Sequence, residues 1–221
     1  MRIPLTGYGR REILLGSLVC IAALVAGVVF FWPLALIGLL LWGCLLAFFR
    51  DPERSVRSTP DTLLSPADGV VQDIQEVADP PGDFLSGPAL RIGIFMSILN
   101  CHVNRSPAAG TVRFVRHYPG RFHDARDPRA ASENEHNLVG VELPDGRRIL
   151  VNQIAGRIAR RIVCAVQPGD TLEAGERFGM VKFGSRLELF VPASDEADVT
   201  VRLSQKVKAG IDALASYKDA P

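Results

Sequence analysis

Apolar and polar positions fall into two regimes along the chain. From 13 to 49 no charged residue occurs, and the apolar run is continuous rather than periodic, as in a segment solvated by lipid. As one helix this run would measure roughly 55 Å, almost twice the hydrocarbon thickness of about 30 Å. Phe31-Trp32-Pro33 divides it, because proline breaks a helix and tryptophan favours the interface. The pattern predicts a helical membrane hairpin of two segments, 13–30 and 34–49, the second short enough to enter as a re-entrant or tilted segment. Arg2, Arg10 and Arg11 precede the run and Arg50, Arg54 and Arg57 come after it. By the positive-inside rule both ends belong on the cytoplasmic side of the cell membrane. A cleaved signal peptide is disfavoured, since the run exceeds a signal core and no small-residue cleavage site succeeds it.

Beyond a polar connection at 51–60 the pattern changes to short alternating runs between Gly and Pro turns. These predict strands at 69–77, 90–95, 110–117, 136–143, 147–155, 162–166, 177–182, 187–192 and 197–201. Asp145-Gly146 between two such runs is a hairpin signal. The polar segment 118–137 reads as a long loop of the kind that carries function. The tail from 205 to 221 reads as a short amphipathic helix or a frayed end. The expected fold is mostly β, a small β-barrel or sandwich with a lipoyl-like hybrid character. It occupies 50–221, behind a short N-terminus at 1–12 and the hairpin at 13–49.

Charge and cysteine content narrow the picture little. With 25 basic and 24 acidic residues, no general attraction to nucleic acid is expected. The four cysteines show neither zinc spacing nor a disulfide framework and read as buried thiols.

Candidate chemistry enters at Lys182-Phe183-Gly184-Ser185-Arg186-Leu187-Glu188-Leu189-Phe190-Val191-Pro192. The alternation of a half-buried strand runs through Leu187, Leu189 and Val191, but Gly184-Ser185 interrupts it. In the plain reading Gly184 forms a bulge or a positive-φ turn and Ser185 bonds to nearby backbone. In the chemical reading the Ser185 hydroxyl attacks the carbonyl of Gly184, left open because glycine lacks Cβ and tolerates strain. The amide becomes an ester. Elimination across Cα and Cβ of Ser185 then cuts the chain, and loss of ammonia leaves an N-terminal pyruvoyl group, an electrophilic carbonyl that condenses with amines as pyridoxal phosphate does.

An attacking serine needs a base, and the base needs orienting. The four histidines are His102, His117, His123 and His136. His102 lies in an apolar and amide-rich segment, where a satisfied core histidine is the commoner outcome, and Asp68-Gly69 before a strand is commonly a plain turn.

Three segments together resemble one family. Ser65-Pro66-Ala67-Asp68-Gly69, Asn100-Cys101-His102-Val103-Asn104-Arg105-Ser106-Pro107 and Phe183-Gly184-Ser185-Arg186 are similar to the short form of phosphatidylserine decarboxylase, a self-processing pyruvoyl enzyme. Phe48-Phe49-Arg50-Asp51-Pro52, Tyr118-Pro119-Gly120-Arg121-Phe122 and the stretch from Gln153-Ile154-Ala155-Gly156 to Val163 share the likeness. The resemblance implies cleavage between Gly184 and Ser185, giving a large chain 1–184 and a small chain 185–221 headed by the pyruvoyl. It implies a Schiff base between that pyruvoyl and phosphatidylserine, with release of CO2 and phosphatidylethanolamine and no metal. It also implies that His102 takes the Ser185 proton and that Asp68 orients His102. Longer members carry two histidines in this segment, whereas here Asn104 and Arg105 lie beyond His102. Arg105, Arg121 and Arg186 are candidates to hold phosphate or carboxylate, and His123 and His136 are fallback bases. A bilayer is the expected partner, and a homo-oligomer stays open.

Two other classes compete. Glycine turns such as Gln167-Pro168-Gly169-Asp170 resemble those of lipoyl-like carrier modules, which need a lysine at a hairpin tip. A metallopeptidase needs a histidine pair at helical spacing, which this chain lacks.

Overall fold

The computed structural model describes residues 5–157, 161–182 and 184–217 and divides the chain into two units, Met1–Glu53 and Arg54–Pro221. In the first unit, helix α1 (Arg10–Phe30) and helix α2 (Trp32–Phe48) meet at Phe31, and Pro33 sits in the first turn of α2 where its missing N–H costs nothing. The helices pack against one another, and the Trp42 indole N–H donates to the Ser17 hydroxyl at 3.0 Å. Thr6 N–H donates to the Phe49 carbonyl at 2.9 Å, so both ends of the hairpin lie together. Outward faces are apolar, with Val28, Phe30 and Trp32 at least 70% exposed. The helical segment Gly7–Phe30 is long and apolar enough to cross a membrane, whereas α2 is shorter.

The second unit is mostly β. Its strands are β1 (Thr62–Leu64), β2 (Gly69–Val77), β3 (Ala89–Met96), β4 (Val103–Arg105), β5 (Gly110–Tyr118), β6 (His136–Glu142) and β7 (Arg148–Ile154), then β8 (Ile162–Cys164), β9 (Thr171–Leu172), β10 (Arg177–Val181), β11 (Ser185–Pro192), β12 (Ala197–Val199), β13 (Lys206–Val207) and β14 (Ala213–Tyr217). Among the described residues they form a curled eight-stranded sheet of order β13-β2-β3-β11-β7-β6-β5-β9 and two three-stranded sheets, β1-β14-β12 and β4-β10-β8. The large sheet is a half-barrel with open edges at β13 and β9 rather than a closed barrel.

The strand that begins with Ser185 lies in the middle of this sheet. β11 pairs antiparallel with β3 along its whole length and with β7 from Arg186 to Phe190. Leu187, Leu189 and Val191 enter the main core with Ile92, Ile94 and Val151, while Phe190 faces a second cluster with Phe84 and Leu150. Period-2 alternation therefore continues, but both faces are covered.

The tail corrects one expectation. Residues 206–217 are not a helix: β13 pairs with β2, and β14 pairs with both β1 and β12. Leu214, Ala215 and Tyr217 are buried in the main core, and β1 offers a backbone ladder that a helix could not use. The segment 118–135 is also more ordered than a plain loop. It contains helix α3 (Ala130–Glu133) and is tied down by Asn134, whose amide donates to the carbonyls of His123 and Ala155 at 3.0 and 2.8 Å.

Candidate active site

At the start of β11, Gly184 has φ +67°, in the left-handed region that side chains resist, and nothing lies where its Cβ would be. Immediately after it, Ser185 is fully buried, and its hydroxyl has no hydrogen-bond partner among the described residues. A buried hydroxyl left unsatisfied costs about 1–3 kcal/mol, so it calls for an explanation in function. Gly156 closes the other side: a Cβ there would lie 1.9 Å from the Gly184 carbonyl oxygen. Only glycine allows that carbonyl to sit where it does.

The next residue is pinned. Arg186, on the opposite face from Ser185, binds Glu188 at 2.7 Å and Asp73 at 2.6 Å. Asn152 donates to the second Glu188 oxygen at 3.1 Å, and Arg91 reaches Asp73 at 3.2 Å. Arg186 and Glu188 are almost wholly buried, so this network fixes the backbone on the C-terminal side of the Gly184–Ser185 bond.

His102 approaches from the N-terminal side. Its Nε2 accepts a hydrogen bond from the Gly184 N–H at 3.3 Å, and its Nδ1 lies 3.0 Å from the carbonyl oxygen of Asn100. A carbonyl can only accept, so Nδ1 carries the proton and the basic lone pair of Nε2 faces the Gly184 peptide. The turn that supplies Asn100 is itself closed. Asn100 Oδ1 accepts from the Ser97 N–H and hydroxyl at 2.9 and 2.7 Å, and Asn100 N–H returns to the Ser97 carbonyl at 2.9 Å. Behind His102 runs a chain of buried amides. Asn137 donates to Gln153 and Gln153 to Asn104, both at 2.9 Å, and Asn104 donates to the His102 carbonyl at 3.2 Å.

Asp68 stands elsewhere. β2, β3 and β11 lie side by side, with Val70 opposite Phe95 and Met96 opposite Ser185. Asp68 thus leads into a strand two places from that of Ser185, roughly 10 Å across the sheet. Its carboxylate receives Arg54 at 2.6 and 2.8 Å and the Ala209 N–H at 2.8 Å. The resemblance assigns the orientation of His102 to Asp68, and the structure sets the Asn100 carbonyl against His102 Nδ1.

A cavity of about 300 Å³ opens on Gly184, lined also by Phe95, Ile98, Asp124, Arg126 and Arg157. Arg126 binds Asp124 at 2.8 Å, and its guanidinium lies 5.7 Å from the centre of the Phe95 ring. Hydrogen bonds from the Arg126 side chain and backbone N–H, reinforced by the charge of Arg157, hold the Asp124 carboxyl down at about 2. No motif in the sequence points to Arg126, while Arg157 lies within the stretch 153–163 that shares the family likeness. The three arginines that motifs do point to lie apart from the lining: Arg105 is buried and donates to the Gly175 carbonyl at 2.9 Å, Arg186 belongs to the network above, and Arg121 pairs with Glu133 at 3.4 Å. Of the fallback bases, His123 bonds Glu133 at 3.1 Å and His136 bonds the Asn134 carbonyl at 2.8 Å. Gly156 ends the motif Gln153-Ile154-Ala155-Gly156, and its contact with Gly184 gives that glycine its role.

A left-handed glycine, a buried hydroxyl beside it and an imidazole bonded to the N–H of that glycine meet at this junction. Comparison with known proteins identifies the family. The sequence model of the family described as phosphatidylserine decarboxylase matches residues 43–215. A phosphatidylserine decarboxylase proenzyme of Oleidesulfovibrio alaskensis is 43% identical over 205 residues, covering 93% of this chain and 92% of the relative. Its counterpart in Solidesulfovibrio magneticus is 42% identical over 218 residues, 98% of this chain and 99% of the relative. That of Rhodopirellula baltica is 40% identical over 218 residues, 98% and 89%. With these matches spanning the hairpin, the half-barrel and the Gly184–Ser185 junction, the chain belongs to the phosphatidylserine decarboxylase family.

Proposed function

We propose that this chain cuts itself between Gly184 and Ser185 and that the product decarboxylates phosphatidylserine to phosphatidylethanolamine at a membrane surface. The observation that carries the proposal is the buried Ser185 hydroxyl, without a partner among the described residues, behind a left-handed Gly184. The hydroxyl oxygen bonds to the Gly184 carbonyl carbon as the C–N bond breaks. Once the Gly184 N–H releases its lone pair, His102 Nε2 takes the hydroxyl proton and passes it to the freed nitrogen. Loss of the Ser185 α-proton expels Gly184 as a carboxylate and leaves dehydroalanine, to which water adds as ammonia departs. Asp68 enters this scheme as a positioning residue, since its pair with Arg54 and bond to Ala209 hold the turn leading into β2.

The residues present fit a pyruvoyl group at position 185: a buried site, a Gly184 with open space at its Cα and a cavity that reaches the junction. Such a carbonyl supplies an electrophile for the substrate's amine and a sink for the electron pair released with CO2. The chain's own groups do the rest. Phe95 and Ile98 give the cavity an apolar wall, and Nε2 of His102 is a proton carrier within reach of the junction. Cleavage leaves β11 between β3 and β7 and β14 beside β1, so the small chain stays bound to the large one without a covalent link.

The apolar helices of the first unit serve as the membrane anchor, with the arginines at their ends retained on the cytoplasmic side. The carrier-module reading loses ground: among the described residues the turns at Asp145-Gly146, Pro168-Gly169 and Ala174-Gly175 present no lysine. Denaturing mass spectrometry tests the proposal. The wild-type chain is expected as two fragments with their boundary at 184/185, and Ser185→Ala as one inactive chain of 24.0 kDa. An active preparation consisting of the intact chain would overturn it.

A further inference from the structure

Beside the cavity, the turn from Ser97 to Asn100 carries Ile98 and Leu99 at its tip, 53% and 80% exposed. Leu99 is more exposed than any other large apolar side chain described in the second unit. The turn is no loose loop, because three hydrogen bonds between Ser97 and Asn100 close it and Asn100 then orients His102. A rigid element thus holds two large apolar groups out towards solvent beside the mouth of the catalytic cavity. Ile98 lines that mouth together with Arg126 and Arg157. Arg157 is exposed, and its charge acts on Asp124, which Arg126 already pairs.

We infer that this turn docks on the bilayer, with Ile98 and Leu99 in the acyl-chain boundary and Arg157 at the level of the phosphates. The inference rests on the proposed function, which makes the substrate an anionic lipid. Charge and continuity favour a lipid surface as the occupant. The patch sets an apolar tip beside two arginines and one aspartate, a net positive charge, which suits a layer of hydrocarbon beneath anionic head groups. It also runs into the cavity that ends at Gly184, so a docked turn lets a head group pass from the membrane to the junction without its acyl chains meeting water. The hairpin of the first unit tethers the chain to the membrane; this turn would aim the cavity at the substrate, a separate task.

The test uses the full-length, processed chain in lipid nanodiscs and compares Leu99→Asp with the wild type on two substrates. One is long-chain phosphatidylserine in the disc; the other is a short-chain phosphatidylserine dissolved as monomers. Leu99→Asp is expected to raise KM for the disc substrate roughly ten- to a hundred-fold, the equivalent of losing one buried leucine, while self-cleavage and turnover of the monomer stay unchanged. Equal behaviour on both substrates, whether normal or impaired, would overturn the inference. A second arm is independent of catalysis. Leu99→Cys, in a chain with Cys20, Cys44, Cys101 and Cys164 replaced by alanine, carries an environment-sensitive dye. Docking requires a blue shift that grows with anionic lipid in the disc. A dye that stays in water, or a shift that tracks protein concentration instead, rules docking out, the latter assigning the turn to a second copy of the chain. Failure of the proposed function would show differently, as an uncut chain or no decarboxylation of either substrate.

Discussion

His102 Nε2 accepts a hydrogen bond from the N–H of Gly184 at 3.3 Å across 82 residues of sequence. The imidazole is thereby held against the peptide that precedes the bond to be cut. Its other nitrogen is spoken for by the Asn100 carbonyl, so the ring can neither turn nor present the wrong tautomer.

Replacing His102 by alanine removes the base that faces the junction. Self-cleavage should slow by about a hundred- to ten-thousand-fold, and the chain should accumulate as a precursor on denaturing gels with its thermal unfolding still cooperative. Wild-type cleavage kinetics in that variant would remove His102 from the scheme.

Gly156→Ala is expected to block processing although Gly156 is not part of the cut bond. The added methyl would collide with the Gly184 carbonyl oxygen and move the carbon that Ser185 must reach. Gly184→Ala meets open space, so its cost is the backbone conformation alone, about 1–2 kcal/mol. Side-by-side time courses of fragment formation should show the more distant glycine as the more damaging site. The reverse order would mean that carbonyl placement is not what limits the reaction.

Asp68→Ala takes the carboxylate from beside a buried Arg54, whose side chain is 6% exposed. Breaking a buried pair from one side costs about 3–5 kcal/mol, so a lowered Tm and a largely uncut precursor are expected. Adding Arg54→Met removes the buried charge that has lost its carboxylate and should recover stability and cleavage together, as a positioning role requires. Normal cleavage by the single variant would exclude Asp68 from processing altogether.

The Asp124 carboxyl, held at about 2 by Arg126, has a folded value below its unfolded one, near 3.9. Its contribution to stability is therefore complete above about pH 4 and is lost as pH falls through about 2. Asp124 is 43% exposed, so the effect on stability is small and is better read by carbon-13 NMR of the carboxyl. A wild-type midpoint in the usual carboxylate range would contradict the pairing; Arg126→Ala should bring the midpoint back there.

Strand positions are legible where alternation is strong. The pattern at 69–77 predicts a strand, and β2 has those bounds. The short strands β1 and β4 carry too few residues to show a period, and 206–217 looks helical or frayed in isolation because its strands exist only through the partners that β1 and β2 offer. The junction is visible because Gly184-Ser185 breaks an otherwise regular pattern. Asn100 is not visible as an orienting group, because it acts through its backbone carbonyl, which every residue possesses.

By itself the sequence determined the charge-free hairpin run, the β character of residues beyond the polar connection, and the glycine–serine step inside a strand. Each of these is written in near neighbours, through period, proline and the absence of a Cβ. Only the tertiary structure decided that His102 meets Gly184, that Gly156 backs the carbonyl, that Asp68 turns to Arg54 and that Arg126 and Arg157 line the cavity. Those juxtapositions depend on which strands pair and in what register, and register is set by the summed burial of a whole sheet rather than by any local stretch of chain.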